Sequence, residues 1–248
     1  MKKINDIIYS IKINYKSWLI FLLIIYFLSN NIFIGILNFI IFFTFSYIAH
    51  YISHSNYLEF YTIIHKYHHQ KNNWFGFFNE IIYEFTIATG FTFLKIFIQF
   101  ICNIDAFNFI LNYINIPLNI FIFFFYTSVH YINYSALHVN NIHELHHKDV
   151  FKNMGPDICD IIFGTKYEDI KEYIENTDHY ILNILVGLSI IYIFLILYEK
   201  VINKDIFKYI FIYIYILFIF ILLISTLIIY LDNLEKKLKK DYRRFKGV

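Results

Sequence analysis

Polar residues divide the chain into apolar runs, and the length of each run predicts its element better than its periodicity does. A helix needs about 20 apolar residues to cross a hydrocarbon core roughly 30 Å thick. Four runs reach that order, at residues 81–101, 107–129, 180–198 and 210–230. A fifth region, 18–49, is too long for one span and is interrupted by Asn30-Asn31, so it predicts a tight helical hairpin whose first limb is short. The pattern therefore predicts an all-α polytopic membrane protein with about six transmembrane helices. Residues 1–17 precede the first span, 167–231 contain the last two, and 232–248 form a basic tail.

Composition agrees with this reading. Of the 248 residues, 58% are hydrophobic, 22% aromatic and only 16% charged, where a soluble domain is nearer a quarter charged. No short signal peptide with a small-residue cleavage site opens the chain. Cys102 and Cys159 form no CxxC pair and fall near opposite membrane faces, which argues against a disulfide framework or a cysteine metal site. No nucleic-acid partner is expected.

Charge then orients the spans. With the N-terminus cytosolic, segments 50–80 and 130–179 and the C-terminus are cytosolic too, and 17 of the 21 Lys and Arg residues fall on that side, as the positive-inside rule requires. The exceptions are Lys95, inside a span, and Lys200, Lys204 and Lys208 in the last outer loop. The tail reads as a basic stop attracted to anionic lipid.

The same topology gathers the histidines. His50 and His54 end the second span, His65, His68 and His69 follow it, His130 ends the fourth, and His138, His143, His146 and His147 follow that. Ten of the eleven histidines thus converge on one membrane face, and the eleventh, His179, reads as an interface residue. "HYISH", "HKYHH" and "HELHH" space their imidazoles three and four apart, on one helix face, so each box aims two or three rings at a common point. Neutral imidazole is the common nitrogen ligand for Fe, Zn, Cu or Ni. Ten rings are too many for one ion and suit two ions with positions left open. Glu80, Glu84, Glu144, Asp149, Asp157 and Asp160 are candidates to orient the rings.

The boxes HxxxH, HxxHH and HxxHH, the second beginning soon after the first, resemble those of the fatty acid hydroxylase / sterol desaturase superfamily of membrane di-iron oxidoreductases. "HHQKNNWFG", "VHYINYSALHVN" and "HELHHKDVFKNMGPDICDIIFGT" resemble further stretches of it, and the likeness covers residues 18–166. Among the departures, the interval from His54 to His65 is two residues longer than expected and Cys159 stands where Trp is usual.

The resemblance implies a cytosolic histidine-rich helical cap holding a dimetal centre. His50, His54, His65, His68, His69, His143, His146 and His147 would be catalytic metal ligands, with His130 and His138 completing the set and Asn133 bonding a ligand ring or metal-bound water. It further implies two Fe ions, replaceable by Zn during isolation, and O2. NAD(P)H electrons would arrive through a separate cytochrome b-type carrier and its reductase. The expected activity is hydroxylation or desaturation of a lipid C–H bond, on sterol or fatty-acyl lipid drawn from the bilayer, in the endoplasmic reticulum. A reading of another class is a membrane divalent-metal transporter or metal-binding protein that uses the boxes as an acceptor site. Transport sites, however, usually lie on broken helices near the bilayer midplane.

Overall fold

The computed structural model describes residues 2–29, 31–55, 59–71, 73–101, 111–167, 174–196 and 204–246, and among these the regular structure is helical throughout. The helices are α1 (Lys2–Ile13), α2 (Tyr15–Leu28), α3 (Ile32–His54), α4 (Glu59–Gln70), α5 (Trp74–Ala88) and α6 (Gly90–Ile96). There follow α7 (Ile116–Ser128), α8 (Ile142–Lys148), α9 (Asp157–Phe163), α10 (Tyr180–Ile196) and α11 (Lys204–Lys246). Wide π turns extend α6 over Phe97–Ile101 and α7 over Val129–Ala136.

Among the described residues three helices are long and apolar enough to cross a membrane, at Ile32–His54, Thr177–Ile196 and Lys208–Lys240, or up to five spans if each of two bent pairs counts as one. This is fewer than the six read from run length. The expected span 107–129 begins outside the described residues, and its α-helical part, α7, has 13 residues. Cys102 also lies outside the described residues, while Cys159 is buried as a free thiol. Large apolar side chains such as Leu23, Phe27, Phe33, Tyr213, Phe220 and Leu227 point outward, as lipid-facing surfaces do.

Both bends have identifiable causes. α1 and α2 meet at 77°, where Asn14 spends its side chain on a distant segment instead of capping α2. Its Nδ2 donates to the Glu175 carbonyl (2.9 Å), and its Oδ1 accepts from Thr177 N (2.9 Å). The α5–α6 bend is 54°. There the Thr89 hydroxyl donates to Phe85 O (2.7 Å), and Asn119 Nδ2 donates to the Ala88 carbonyl (2.7 Å). A broken helix needs such substitutes for the lost ladder bonds.

α7 is the centre of the bundle. Leu118 and Phe121 are fully buried, and the helix packs against α10, α3, α5 and α2. Between apolar helices in lipid, close packing and polar links replace the hydrophobic drive. Thr92 donates to Asn119 Oδ1 (2.7 Å), Asn133 to Asn183 (2.7 Å), and Ser225 to Asn79 (2.6 Å). Lys95, a charge inside an expected span, is satisfied by the Ile114 carbonyl (2.9 Å). Gly187 lets α10 approach, because a Cβ there would lie 3.0 Å from the Phe121 ring. Gly187→Val should therefore push α10 off α7 and destabilise the protein by about 1–3 kcal/mol, as overpacking does, read as a lowered Tm in detergent.

The last two helices brace the elements that carry the histidines. α10 packs on α7, and α11 on α4, α5 and α6, where Ile229 meets Ile64 and Tyr83.

Candidate metal centre

Four elements deliver the imidazoles: the last turns of α3, the helix α4, the π turns after α7, and α8. Two groups form. His50, His54, His65, His69 and His146 offer ring nitrogens all within 4.8 Å of one another, and so do His68, His130 and His147. His143 adjoins the second group, with its Nε2 2.9 Å from His147 Nε2. The groups touch where the His69 and His147 rings stack at 4.0 Å.

The back of each site fixes which nitrogen faces inward. His50 Nδ1 lies 2.9 Å from the Met154 carbonyl, His146 Nδ1 2.8 Å from the Lys152 carbonyl, His65 Nδ1 2.5 Å from Glu80 Oε1, and His130 Nδ1 2.6 Å from Glu84 Oε1. A carbonyl or carboxylate only accepts, so each Nδ1 carries the proton and each Nε2 presents a lone pair, an assignment made from the partners. These Nε2 atoms then crowd together. His54 Nε2 is 3.3 Å from that of His50, 3.1 Å from that of His146 and 3.0 Å from that of His65, which is itself 3.1 Å from that of His69.

A single proton on His54 Nε2 can satisfy one of three lone pairs. A cation can satisfy all of them. Metal–nitrogen bonds of about 2.0–2.1 Å separate adjacent ligands by about 2.8–3.4 Å, from octahedral to tetrahedral geometry, and the observed spacings fall in that range. In the second group His68 Nε2 and His130 Nε2 are buried without a hydrogen-bond partner. The donor set therefore fits metal ions in both groups.

Burial, reinforced by neighbouring imidazoles, also keeps the rings neutral. It holds His146 and His147 down to about 4 and His68 to about 3, and it lowers His65, His69 and His143 as well. The folded chain thus resists protons that the unfolded chain takes up below about 6.5, the ordinary histidine value. Stability from this source is complete above pH 6.5 and is lost progressively as pH falls toward 4. The metal-free protein should accordingly show a constant Tm from pH 7 to 8 and a falling one from pH 6.5 to 4. A flat profile across that lower range would contradict it.

The structure places the remaining candidates outside the two groups. His138 is exposed, takes a left-handed φ of 48° and joins neither group. The wider π turns carry Asn133 away from the rings, and its Nδ2 donates to Asn183 Oδ1 and, at 3.4 Å, to the His179 carbonyl. Of the six candidate carboxylates, only Glu80 and Glu84 hold a ring of the two groups. Glu144 pairs with Lys148 at the surface, Asp149 accepts from Phe151 N, and Asp157 pairs with Lys166. Asp160 acts at one remove: it accepts from Met154 N, Gly155 N and the Thr165 hydroxyl, holding the loop whose carbonyl takes the His50 proton.

The sequence also matches the family model described as Fatty acid hydroxylase over residues 35–165, more than half of the chain. The chain belongs to the fatty acid hydroxylase family. No curated protein and no solved structure matches it. The family segment runs from within α3 to Thr165 and encloses every histidine of both groups, so membership and geometry point to one site. As a member of the fatty acid hydroxylase family the chain is a membrane-embedded oxidoreductase of a metal-dependent kind, and lipid hydroxylation or desaturation is the activity the family suggests.

Glu175, outside that segment, is the centre of a buried hub that no motif announced. Glu175 accepts from the hydroxyls of Tyr134 (2.7 Å) and Tyr180 (2.6 Å) and from Asn140 (2.7 Å), with the His179 ring 3.3 Å away. Burial pushes its carboxyl up, but these partners outweigh burial and hold it below the usual range. The hub pins the approach to α10 against the π turns that carry His130.

Proposed function

We propose that this protein is a di-iron lipid oxidoreductase that inserts oxygen into, or removes hydrogen from, a C–H bond of a sterol or fatty-acyl lipid. The convergence of nine histidines, with inward-facing nitrogens about 3 Å apart, carries this reading. One iron would be held by His50, His54, His65, His69 and His146, the other by His68, His130, His143 and His147. The core of the enzyme is residues 18–166, and the C-terminal helices brace it.

Bound iron would supply the capacity to activate O2 with electrons delivered from NAD(P)H through a separate cytochrome b-type carrier and its reductase. The residues of the chain do the rest. Four Nδ1–H bonds keep the His50, His65, His130 and His146 rings in one tautomer and orientation, as supporting groups around ligands do. Burial keeps the site dry and the rings neutral, so that they bind metal at neutral pH. Apolar walls including Phe125 and Val129 border the cavity beside His50, His130 and His143 and present it to a hydrocarbon. The lysine and arginine distribution supports cytosolic termini and a cytosolic metal site, and the family resemblance supports the endoplasmic reticulum as the compartment.

Comparative lipid mass spectrometry of cells with and without the protein tests the activity. The expected result is one class of oxidised or desaturated lipid present only with the protein and with O2. Identical lipid profiles, accompanied by O2-independent metal flux in vesicles, would favour a transporter instead.

A further inference from the structure

The cavity beside the histidines contains a polar group that metal binding does not use. Its volume is about 90 Å³, and its walls include His50, His130, His143, Phe43 and Asn153. Asn153 is 5% exposed, and both polar atoms of its side chain are buried without a hydrogen-bond partner. An unmet buried donor and acceptor on one side chain is costly. The residue is also held in the left-handed region, with φ 48°, a conformation that marks function when the surroundings impose it. They do so here. Its own N–H donates to the Thr165 carbonyl (2.9 Å), while the carbonyls on either side, of Lys152 and Met154, fix His146 and His50. The loop that tethers two rings of the first group thus sets the position of a free amide.

Phe43 borders a second space, an apolar cleft of about 270 Å³ between α2, α3 and α9 whose walls include Trp18, Leu22, Ile40 and Ile162. Leu22, Ile40 and Ile162 are each more than 40% exposed, so the cleft faces the lipid side of the bundle. A group that answers both amide atoms must donate one hydrogen bond and accept another. Among lipid groups an ester or ether only accepts, a carboxylate only accepts, and an ammonium only donates. A hydroxyl and an amide do both, and of the two the hydroxyl, a single atom at the end of a molecule rather than a link between two chains, is the one small enough for the cavity.

We propose that the cavity binds the hydroxyl of a membrane lipid, with Asn153 as its hydrogen-bonding partner and the hydrocarbon running past Phe43 into the cleft between α2, α3 and α9. The proposal rests on the reading of the histidine cluster as an oxidation site, for which Asn153 is a substrate-positioning residue.

The test uses the full-length, iron-loaded protein in phosphatidylcholine nanodiscs and reads photolabelling, not turnover. The probes are a diazirine-bearing long-chain primary alcohol, a diazirine-bearing sterol, and the methyl ether of each. In the wild type at least one alcohol should label peptides containing Phe43 or Met154 about tenfold more than its ether. Asn153→Gly tolerates the left-handed backbone, so it should keep the iron content while alcohol labelling falls to the level of the ether. Preference for the sterol or for the chain alcohol identifies the source of the hydroxyl, and either supports the proposal. Equal labelling by alcohol and ether in the wild type, or an alcohol preference that survives Asn153→Gly, overturns it. Such a failure leaves the oxidase reading standing. An intact alcohol preference in a protein that oxidises no lipid would instead remove the oxidase reading and leave the hydroxyl site.

Discussion

His146→Ala should empty the first histidine group of metal and abolish lipid oxidation. The ring is fully buried, its Nε2 lies 3.1 Å from that of His54, and its Nδ1 is fixed by the Lys152 carbonyl. Removing it deletes one corner of a five-nitrogen site and leaves a void that no neighbouring donor is placed to fill. Loss of a group that merely supports a ligand costs about 10–100-fold in affinity or activity, so loss of the ligand should leave less than about a hundredth of the oxidation. His68→Ala should do the same from the second group. His138→Ala is the informative partner. Motif spacing counts His138 with the ligands, but its exposure and its absence from both groups predict wild-type metal content and wild-type lipid oxidation. Metal analysis of the three variants, with lipid analysis of cells expressing them, checks the pattern. Loss of metal in His138→Ala, or full oxidation in His146→Ala, would contradict it.

Glu80→Gln should weaken metal binding in the first group by about 10–100-fold while the protein stays folded. The Glu80 carboxylate is 1% exposed and meets His65 Nδ1 at 2.5 Å. It accepts the ring proton and raises the basicity of the nitrogen that faces the other rings. Glutamine keeps the volume and one acceptor but loses the charge, and its amide can also present a donor to His65, which would favour the wrong tautomer. Chelator competition against wild type and Glu80→Gln measures the effect, and a change of less than twofold would remove Glu80 from the site.

The parts of this architecture legible in the sequence are those set by local spacing. The boxes at His65, His68 and His69 and at His143, His146 and His147 need only a short helix to bring their rings to one side, but each box is shared between the groups: His65, His69 and His146 join the first, and His68, His143 and His147 the second. Run length finds α3, α10 and α11 because those spans are uninterrupted. Where backbone geometry departs from the α period, spacing misleads. The stretch after Val129 winds as π turns, in which Leu137 N bonds back to Ile132 O. Asn133 therefore does not sit where an α-helical offset from His130 would put it, and His138 falls past the end of the segment on a reversed backbone. Long-range partners leave no local trace at all. Asn14 bonds a segment some 160 residues away, Glu175 gathers four groups from three segments, and Ile229 reaches back to brace the helix of the second box. Which carboxylates hold rings was equally illegible. Glu80 and Glu84 share one face of α5, and only the packing of that face against α4 and the π turns distinguishes them from Asp149 or Glu144.

Two irons held by the two histidine groups should react with O2. Zinc binds such nitrogen sites at least as tightly as ferrous iron, so the protein is best stripped of metal, reloaded anaerobically with ferrous iron and then exposed to O2. The measurement is bound iron per chain together with O2 consumed. Close to two irons per chain are expected, with O2 consumption that requires both and is lost in His146→Ala and in His68→Ala. Two bound irons that leave O2 untouched, or consumption unchanged in either variant, would contradict it.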